Sequence, residues 1–348
     1  MVTHRALGLF SGGLDSILAC RLVASLGVDV IGVKFVTPFF GDELLARPDE
    51  YVAEVKDKFG IDIRLVDLSE GYLELLHNPS HGFGKNFNPC IDCKILMLSR
   101  AKQMMAPLGG SFLFTGEVLG QRPMSQRRDT LRVIERDSKN DARLLRPLSA
   151  KLMKPTLAEE EGWIDRERLL DFSGRGRSRQ IALAREYGIT EFPAPAGGCI
   201  LADPILSRRI KRIYEGDFVI SPGDITADDI RLLLVGRQFL LPGGVWSILG
   251  RNERENDRLL ELAGEDDAIL HMPLHPGPTA LIRGWRLLAE DDPRRQSTLE
   301  LGGRLVTRYG KKVDGEIVGG EVEIRTGQEQ AMMRCEPLDD SAFKEWML

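Results

Sequence analysis

Four short apolar runs punctuate the first 115 residues, and stretches of helical periodicity separate them. The runs lie at 5–10, 28–36, 61–67 and 111–115, the helical stretches at 14–26, 49–59 and 91–106. The run VDVIGVKFV at 28–36 is nearly continuous in apolar residues rather than alternating. A strand reads that way when both of its faces are covered. Strands separated by helices run parallel, because each crossover returns the chain to the same end of the sheet. The expected fold class is α/β, a Rossmann-like parallel sheet with helices on both faces.

Helical patterns at 155–170 and 177–187 follow, and FPAPAGGC at 192–199 interrupts them. From Ser221-Pro222-Gly223 the character changes. A strand-like LLLVGRQFLL, a polar helix around 252–263, a helix near 297–309 and a strand pair in EIVGGEVEI read as a smaller α+β module. With 348 residues there is chain for two cores, and the expected domains are 1–215 and 216–348.

The net charge of −5 conceals an asymmetry between these parts. Residues 1–212 carry 31 Lys and Arg against 27 Asp and Glu, whereas residues 213–348 carry 16 against 25. The basic excess is concentrated at 122–154, which holds ten basic and four acidic side chains. It continues through Arg175, Arg177 and Arg179 to Arg208, Arg209, Lys211 and Arg212. Such a band is able to neutralise phosphates, although a solvated arginine-rich face reads the same way. No apolar run approaches the roughly 18–20 residues of a bilayer span. The first apolar stretch is cut by Ser-Gly-Gly-Leu-Asp before it forms a signal sequence. A cytoplasmic protein without membrane contact is expected. In a reducing compartment the five cysteines (20, 90, 93, 199 and 335) are ligands, nucleophiles or core residues rather than structural disulfides.

The first strand runs into Ser11-Gly12-Gly13-Leu14-Asp15-Ser16, where the first helix begins. Gly12 and Gly13 let the backbone close around a phosphate chain, and the helix N-terminus adds positive potential. The Ser11 and Ser16 hydroxyls are donors for phosphate oxygens, and Asp15 is placed to orient the loop or hold a cation. A Walker loop is absent, since Gly84-Lys85 is followed by Asn86 and has Pro79 where the first glycine belongs. The dinucleotide pattern G-x-G-x-x-G is absent after this strand as well.

A second pattern, NFNPCIDCK at 86–94, opens a predicted helix. Its Cys90 and Cys93 fall on one helical turn, where a helix N-terminus lowers a thiol pKa. Cys199 lies far downstream in PAGGC. As soft donors these thiols suit iron–sulfur ligation or zinc, the latter completed by His77 or His81. Cys20 and Cys335 read as packing or surface residues.

SGGLDS resembles the pyrophosphate-binding loop, or PP-loop, of the adenine-nucleotide α-hydrolases, which include GMP and NAD synthetases and tRNA thiolation enzymes. The resemblance implies ATP with Mg2+, cleaved between its α and β phosphates, with Ser11, Gly12, Gly13, Asp15 and Ser16 binding the nucleotide. Asn-Pro-Cys-x-x-Cys resembles the cysteine motif of tRNA 2-thiouridylases, which implies that Cys93 and Cys199 handle sulfur, as a Cys93 persulfide with Cys199 as disulfide partner. Some members of that family carry Asp where this chain has Cys90, and related thiolases with three cysteines hold a [4Fe–4S] cluster, here on Cys90, Cys93 and Cys199. TGEVLGQRPMSQ at 115–126 and LLRPL at 144–148 are similar to segments of tRNA 4-thiouridine synthetases. Gly116 would then let the backbone approach the ribose or α-phosphate, with Gln121 and Arg122 facing the reacting phosphate or RNA.

The similarity spans most of residues 1–212 and implies an ATP-dependent tRNA uridine thiolation enzyme, a tRNA sulfurtransferase. Asp15, Cys93 and Cys199 are its expected catalytic residues. Arg122, Arg127, Arg128, Lys154, Arg175 and Arg177 are its expected RNA contacts. The expected partners are tRNA and a sulfur donor, either sulfide or a cysteine desulfurase or other persulfide carrier, with a homodimer left open. VGRQF, ILGRNERENDRLL, HPGPTALIRG and TLELGGRLVTRYGKK are similar to the C-terminal RNA-binding domain of NFACT proteins. There Arg237, Arg251, Asn252, Arg283, Lys311 and Lys312 would face RNA, although the module's acidity suits a docking or dimerisation role too. Two other functions stay open: an ATP-dependent ligase or amidotransferase acting on a small metabolite, and a non-catalytic, nucleotide-dependent RNA-binding protein. The choice between 2-thio and 4-thio products stays open as well.

Overall fold

The computed structural model describes residues 4–194 and 199–348, so the PAGG stretch preceding Cys199 lies outside the described residues. The chain divides into two compact units, Met1–Asp203 and Pro204–Leu348.

The first unit is the expected parallel α/β sheet. Its strands are β1 (Arg5–Leu9), β2 (Asp29–Val36), β3 (Asp62–Asp67), β4 (Phe112–Thr115) and the two-residue β5 (Leu144–Leu145). They stand in the order β3-β2-β1-β4-β5, and all pairings are parallel. The helices are α1 (Leu14–Ser25), α2 (Pro48–Phe59), α3 (Ser69–His77), α4 (Cys90–Met105), α5 (Arg128–Asp137), α6 (Leu157–Glu160) and α7 (Ser178–Glu186). Two apolar clusters explain the continuous strand runs. Ala6, Phe112 and Phe114 pack with α1 residues Leu14, Ile17 and Leu18 on one face. Leu7, Leu9 and Leu113 pack with α4 residues Leu98 and Ala101 on the other. From β1 the chain winds outward to β2 and β3, then returns to β4 on the opposite side. The carboxyl ends of β1 and β4 therefore form the switch point at which such sheets bind ligands.

The helix expected over 155–170 is instead the single turn α6 and a short 3-10 turn at Arg166–Arg168. Thr156 starts α6 with a capping box to Glu159, and Gly162, with φ at +68°, stops it.

The second unit holds α8 (Pro204–Tyr214), α9 (Ala227–Leu233), β6 (Arg237–Leu241), β7 (Val245–Leu249), α10 (Glu253–Leu262), β8 (Ala268–His271), β9 (Ala280–Arg283), α11 (Arg294–Arg308), β10 (Gly320–Thr326), β11 (Glu329–Cys335) and α12 (Asp340–Phe343). Six strands form an antiparallel sheet in the order β11-β10-β8-β9-β7-β6. Residues of α11, among them Leu305 and Val306, cover it. The division falls at 203/204, before α8, where the sequence reading places it at 215/216. The buried face of α8 (Leu206, Ile210, Ile213) packs on α9 in this unit. LLLVGRQFLL divides into the end of α9 and strand β6. The expected strand pair in EIVGGEVEI is instead one strand, β10, in a hairpin with β11. Among the described residues no helix is long and apolar enough to cross a membrane.

Candidate functional site

Beyond β1 the chain turns through Ser11-Gly12-Gly13 into α1. Gly12 has φ of +84°, and a Cβ there would stand 3.2 Å from the Tyr51 hydroxyl, so the turn favours glycine on both counts. Ser11 Oγ accepts the Gly13 amide and donates to Ser16 Oγ, each at 3.2 Å, while Ser16 Oγ donates to the Gly13 carbonyl at 2.8 Å. From β2, Lys34 Nζ donates to the Ser11 carbonyl at 2.6 Å. Burial lowers the Lys34 pKa against the opposing pull of Glu43.

Asp15, in the first turn of α1, accepts a hydrogen bond from Gln121 Nε2 at Oδ2, 3.1 Å away. Burial raises its carboxyl pKa, while Gln121, Arg177, Gln180 and Arg122 pull it back. Its other oxygen, Oδ1, is buried with no hydrogen-bond partner, and so are Arg177 Nε and Gln180 Nε2. Gln180 thus lies beside the carboxyl without meeting hydrogen-bond geometry. Buried polar atoms are normally satisfied, and orphans gathered at one place suit a charged ligand. A carboxylate oxygen at a helix N-terminus beside hydroxyls and arginines fits a divalent cation held with a nucleotide phosphate.

At the end of β4, Gly116 is closed in by the chain itself. A Cβ there would stand 2.5 Å from the Asp15 carbonyl carbon and 2.6 Å from the Ser16 amide nitrogen. Close packing on the first turn of α1 therefore requires glycine at this position. Glu117 is buried beside Arg146, itself 1% exposed, whose Nε lies 3.1 Å from Glu117 Oε2. Lys94 Nζ is 3.8 Å from Oε1, and Arg146 Nη1 also pairs with Glu135. Burial works against the Glu117 charge, but Lys94 and Arg146 outweigh it and hold the carboxyl below its usual range. The following loop closes on itself, with the Gly120 amide bonded to the Gln126 carbonyl at 2.7 Å and the Arg122 amide to Gln126 Oε1 at 3.0 Å.

Cys90 begins α4, and Cys93 sits in its first turn. Asn88 Nδ2 donates to Cys90 Sγ at 3.1 Å and reaches Met124 Sδ at 3.8 Å. Asn86 Nδ2 donates to the Ala202 carbonyl at 2.6 Å, which draws the turn after Cys199 to the motif. All three thiols are half-buried. They lie close enough to act on one another's ionisation, with the buried Tyr72 hydroxyl bonded to Cys93. Burial pushes the Cys93 thiol up to about 11, against Tyr72 and Lys94, which lower it. The expected lowering by the helix N-terminus is therefore overridden by desolvation. Burial also raises Cys199, while the Leu201 and Ala202 amides work the other way. His81 Nδ1 is 2.8 Å from Asp92, and its Nε2 is 3.1 Å from Asp137. Both ring nitrogens are thus engaged, and the zinc reading loses His81 as a free ligand. Among the described residues no group of three or more His, Cys, Asp and Glu stands ready to hold a metal ion. Three neighbouring thiols are still the soft donor set that iron–sulfur ligation uses. Cys20 and Cys335 are buried in the two cores.

Among the basic residues, Arg122 and Arg177 act on Asp15, whereas Arg127, Arg128, Arg175 and Lys154 are exposed. Arg128 and Lys154 line one crevice of about 340 Å³ beside β5. In the second unit Arg283 is engaged by Asp229 and Asp267 at 2.7 and 2.9 Å, Arg251 by Glu255, and Arg237 lies 4.6 Å over the Tyr309 ring. Asn252 caps α10. Lys311 and Lys312 are exposed. Sequence reasoning does not single out Lys34, Tyr72 or Gln180. Lys34 alone carries a signal, as a cation inside an apolar strand.

Residues 1–154 match the ThiI family model, described as thiamine biosynthesis protein. Residues 236–347 match the NFACT protein RNA binding domain. The chain is similar to tRNA-specific 2-thiouridylase MnmA of Nitratidesulfovibrio vulgaris (strain DSM 19637 / Miyazaki F). The two are 31% identical over 123 residues, which is 32% of this chain and 34% of that protein. A probable tRNA sulfurtransferase of Thermococcus kodakarensis is 26% identical over 145 residues, 41% of this chain and 36% of that one. The chain thus spans about a third of the length of the curated relatives it matches. Among solved structures, a 4-thiouridine synthetase–RNA complex with bound ATP aligns at a TM-score of 0.34 and 21% identity, covering 53% of this chain and 52% of that one.

Proposed function

We propose that the chain is an ATP-dependent tRNA sulfurtransferase that installs a thiouridine. The observation that carries this reading is the segment 115–126. At one end Gln121 bonds Asp15 of the phosphate loop, and at the other Met124 meets Asn88, which bonds Cys90. One short loop thereby links a nucleotide-type site to a group of thiols, and few chemistries need both. The ThiI-like match and the similarity to thiolation enzymes agree with it.

In this reading Ser11, Gly12, Gly13 and Ser16 hold the phosphates of ATP, and Asp15 holds the accompanying Mg2+ while Gln121 fixes its carboxylate. A uridine keto oxygen attacks the α-phosphate, pyrophosphate departs, and the base is left with AMP as its leaving group. A sulfur nucleophile then attacks the ring carbon and expels AMP. The protein contributes positioning and charge stabilisation. Cys93 and Cys199 manage the sulfur, either as a Cys93 persulfide that Cys199 resolves as a disulfide, or with Cys90 as ligands of a [4Fe–4S] cluster. When bound, that cluster would supply an iron position for sulfide, and coordination would deprotonate thiols that burial keeps protonated. Arg122, Arg127, Arg128, Lys154 and Arg175 would contact the tRNA backbone, and the NFACT-like part would add RNA affinity through Lys311 and Lys312.

The test incubates the purified chain with unmodified tRNA, ATP and Mg2+, in one arm anaerobically with sulfide after iron and sulfide reconstitution, and in the other without reconstitution but with a cysteine desulfurase and cysteine as persulfide donor. Nucleoside mass spectrometry then reads the product. Thiouridine is expected, with none from Cys93→Ser or Cys199→Ser. ATP consumption on a free small metabolite without any thiolated nucleoside would favour the ligase class instead.

A further inference from the structure

Apart from Arg175 among the proposed tRNA contacts, the segment Gly174-Arg175-Gly176-Arg177-Ser178-Arg179-Gln180 has no role in the function as described so far. It is held against the loop after β4, because the Gly174 amide donates to the Leu119 carbonyl at 2.8 Å and Leu119 pairs with Ser173 in a parallel bridge. It then enters the nine-residue α7, which packs on α1. Its three arginines differ. Arg179 is taken by Asp171 at 2.5 Å and lies 4.4 Å over the Phe172 ring. Arg175 is exposed. Arg177 is the residue before α7, and it acts on Asp15.

Two donors of this segment are buried without acceptors. They are Arg177 Nε and Gln180 Nε2, the latter on a side chain 1% exposed in the first turn of α7. Asp15, on which both side chains act, does not meet hydrogen-bond geometry with them, since its Oδ2 accepts from Gln121 and its Oδ1 is unpartnered. The local fold thus leaves two donors and one acceptor unmatched within one small region. An anion with several oxygens matches the donors, and a cation carried by that anion matches Asp15 Oδ1.

We propose that residues 174–180 are a second phosphate-binding element, in which Arg177 and Gln180 bind the pyrophosphate end of the nucleotide opposite Ser11–Ser16. The inference rests on the nucleotide reading above and assigns Arg177 to pyrophosphate rather than to RNA. When the uridine oxygen forms its bond to the α-phosphorus, the bond from that phosphorus to the bridging oxygen breaks, and its electron pair leaves on pyrophosphate. The charge that grows there is what an arginine and a buried amide donor stabilise best.

The experiment titrates the full chain with Mg2+-ATP, Mg2+-pyrophosphate, AMP and unmodified tRNA, for the wild type and for Arg177→Gln, Arg177→Lys and Gln180→Glu. Arg177→Gln is expected to weaken ATP and pyrophosphate about 10- to 100-fold, the range for one charge-assisted hydrogen bond. AMP and tRNA affinities stay within about twofold, as they do not use this contact. Gln180→Glu, isosteric but anionic, acts in the same direction. Arg177→Lys recovers part of the pyrophosphate affinity, which excludes misfolding as the cause. Unchanged pyrophosphate binding in Arg177→Gln overturns the proposal, and an accompanying loss of tRNA affinity would make Arg177 an RNA contact. If the wild type binds pyrophosphate with this dependence but takes no ATP, the nucleotide reading falls and the pyrophosphate site stands. If it binds neither, both fall.

Discussion

Gln121 Nε2 donates to Asp15 Oδ2 across 3.1 Å, and this bond ties the loop after β4 to the turn after β1. With Arg177, Gln180 and Arg122 it opposes the burial that favours the protonated form of this carboxylate. Its removal by Gln121→Ala raises the Asp15 pKa further. In the proposed site Mg2+-nucleotide binding uses this carboxylate, so the acid limb of an ATP-binding pH profile is expected to move to higher pH in this variant. The check is ATP affinity measured from pH 5 to 8, and superimposed profiles would show the bond to be without consequence.

Asp15→Asn separates stability from function at the same position. The folded-state pKa of Asp15 is raised, so its contribution to stability is full below the unfolded value and is lost as pH rises through the folded one. At neutral pH the ionised side chain is therefore a cost in the ligand-free protein. The amide variant is expected to melt at the same temperature or higher while losing Mg2+-ATP affinity by more than about tenfold. A large fall in melting temperature would place Asp15 in the structural framework instead.

Gly116→Ala tests the packing of β4 on α1. The added methyl meets backbone at 2.5–2.6 Å, and backbone has no alternative rotamer. The first turn of α1 must move, which disturbs Asp15 and Ser16 together. A destabilisation of about 3–5 kcal/mol, the range for severe steric substitutions, is expected in denaturant unfolding. Binding of ATP falls with it.

The sheet is legible in the sequence because its strands are apolar on both faces, and a run such as VDVIGVKFV admits few other readings. Elements defined by punctuation are less so. The periodicity at 155–170 is helical on paper, yet a capping box and Gly162 confine it to one turn. β5 has two residues and no run to announce it. The proposed phosphate loop, Ser11–Ser16, is legible because its chemistry is contiguous in the chain. The neighbourhood of Asp15 is not, since Gln121, Arg177 and Gln180 come from distant segments and only folding brings them together. The Cys93 environment reverses the local expectation for the same reason: the helix N-terminus is written in the sequence, while the burial that overrides it is a tertiary fact.

In the second unit, Arg283 lies between Asp229 and Asp267, both almost fully buried. Arg283→Met leaves two carboxylates without their cation. The expected cost is about 3–5 kcal/mol, as for other broken buried ion pairs. Lys311→Glu with Lys312→Glu touches neither core and is expected to leave the melting temperature within a few degrees while weakening RNA binding at low salt. Denaturant unfolding and RNA titration at two salt concentrations distinguish the two roles. A Met variant as stable as the wild type would free Arg283 for contact with RNA.

Cys93 offers a reading of the sulfur site that needs no turnover. With its thiol pushed up to about 11, Cys93 is almost entirely protonated at pH 7.5. Alkylation of Cys93 by iodoacetamide is therefore expected to be slow at neutral pH and to rise about tenfold per pH unit from 8 to 10, since the thiolate is the nucleophile. The same raised pKa contributes stability that is present below the unfolded thiol value and is lost as pH approaches 11. Cys93→Ser removes that part of the alkaline loss. Peptide mass spectrometry of the labelled chain reads the first effect, and melting curves between pH 8 and 11 read the second. Fast, pH-independent labelling between pH 6.5 and 8 would mean that Cys93 is already a thiolate without a ligand. It could then act without activation by coordination, and the persulfide route would gain over the cluster.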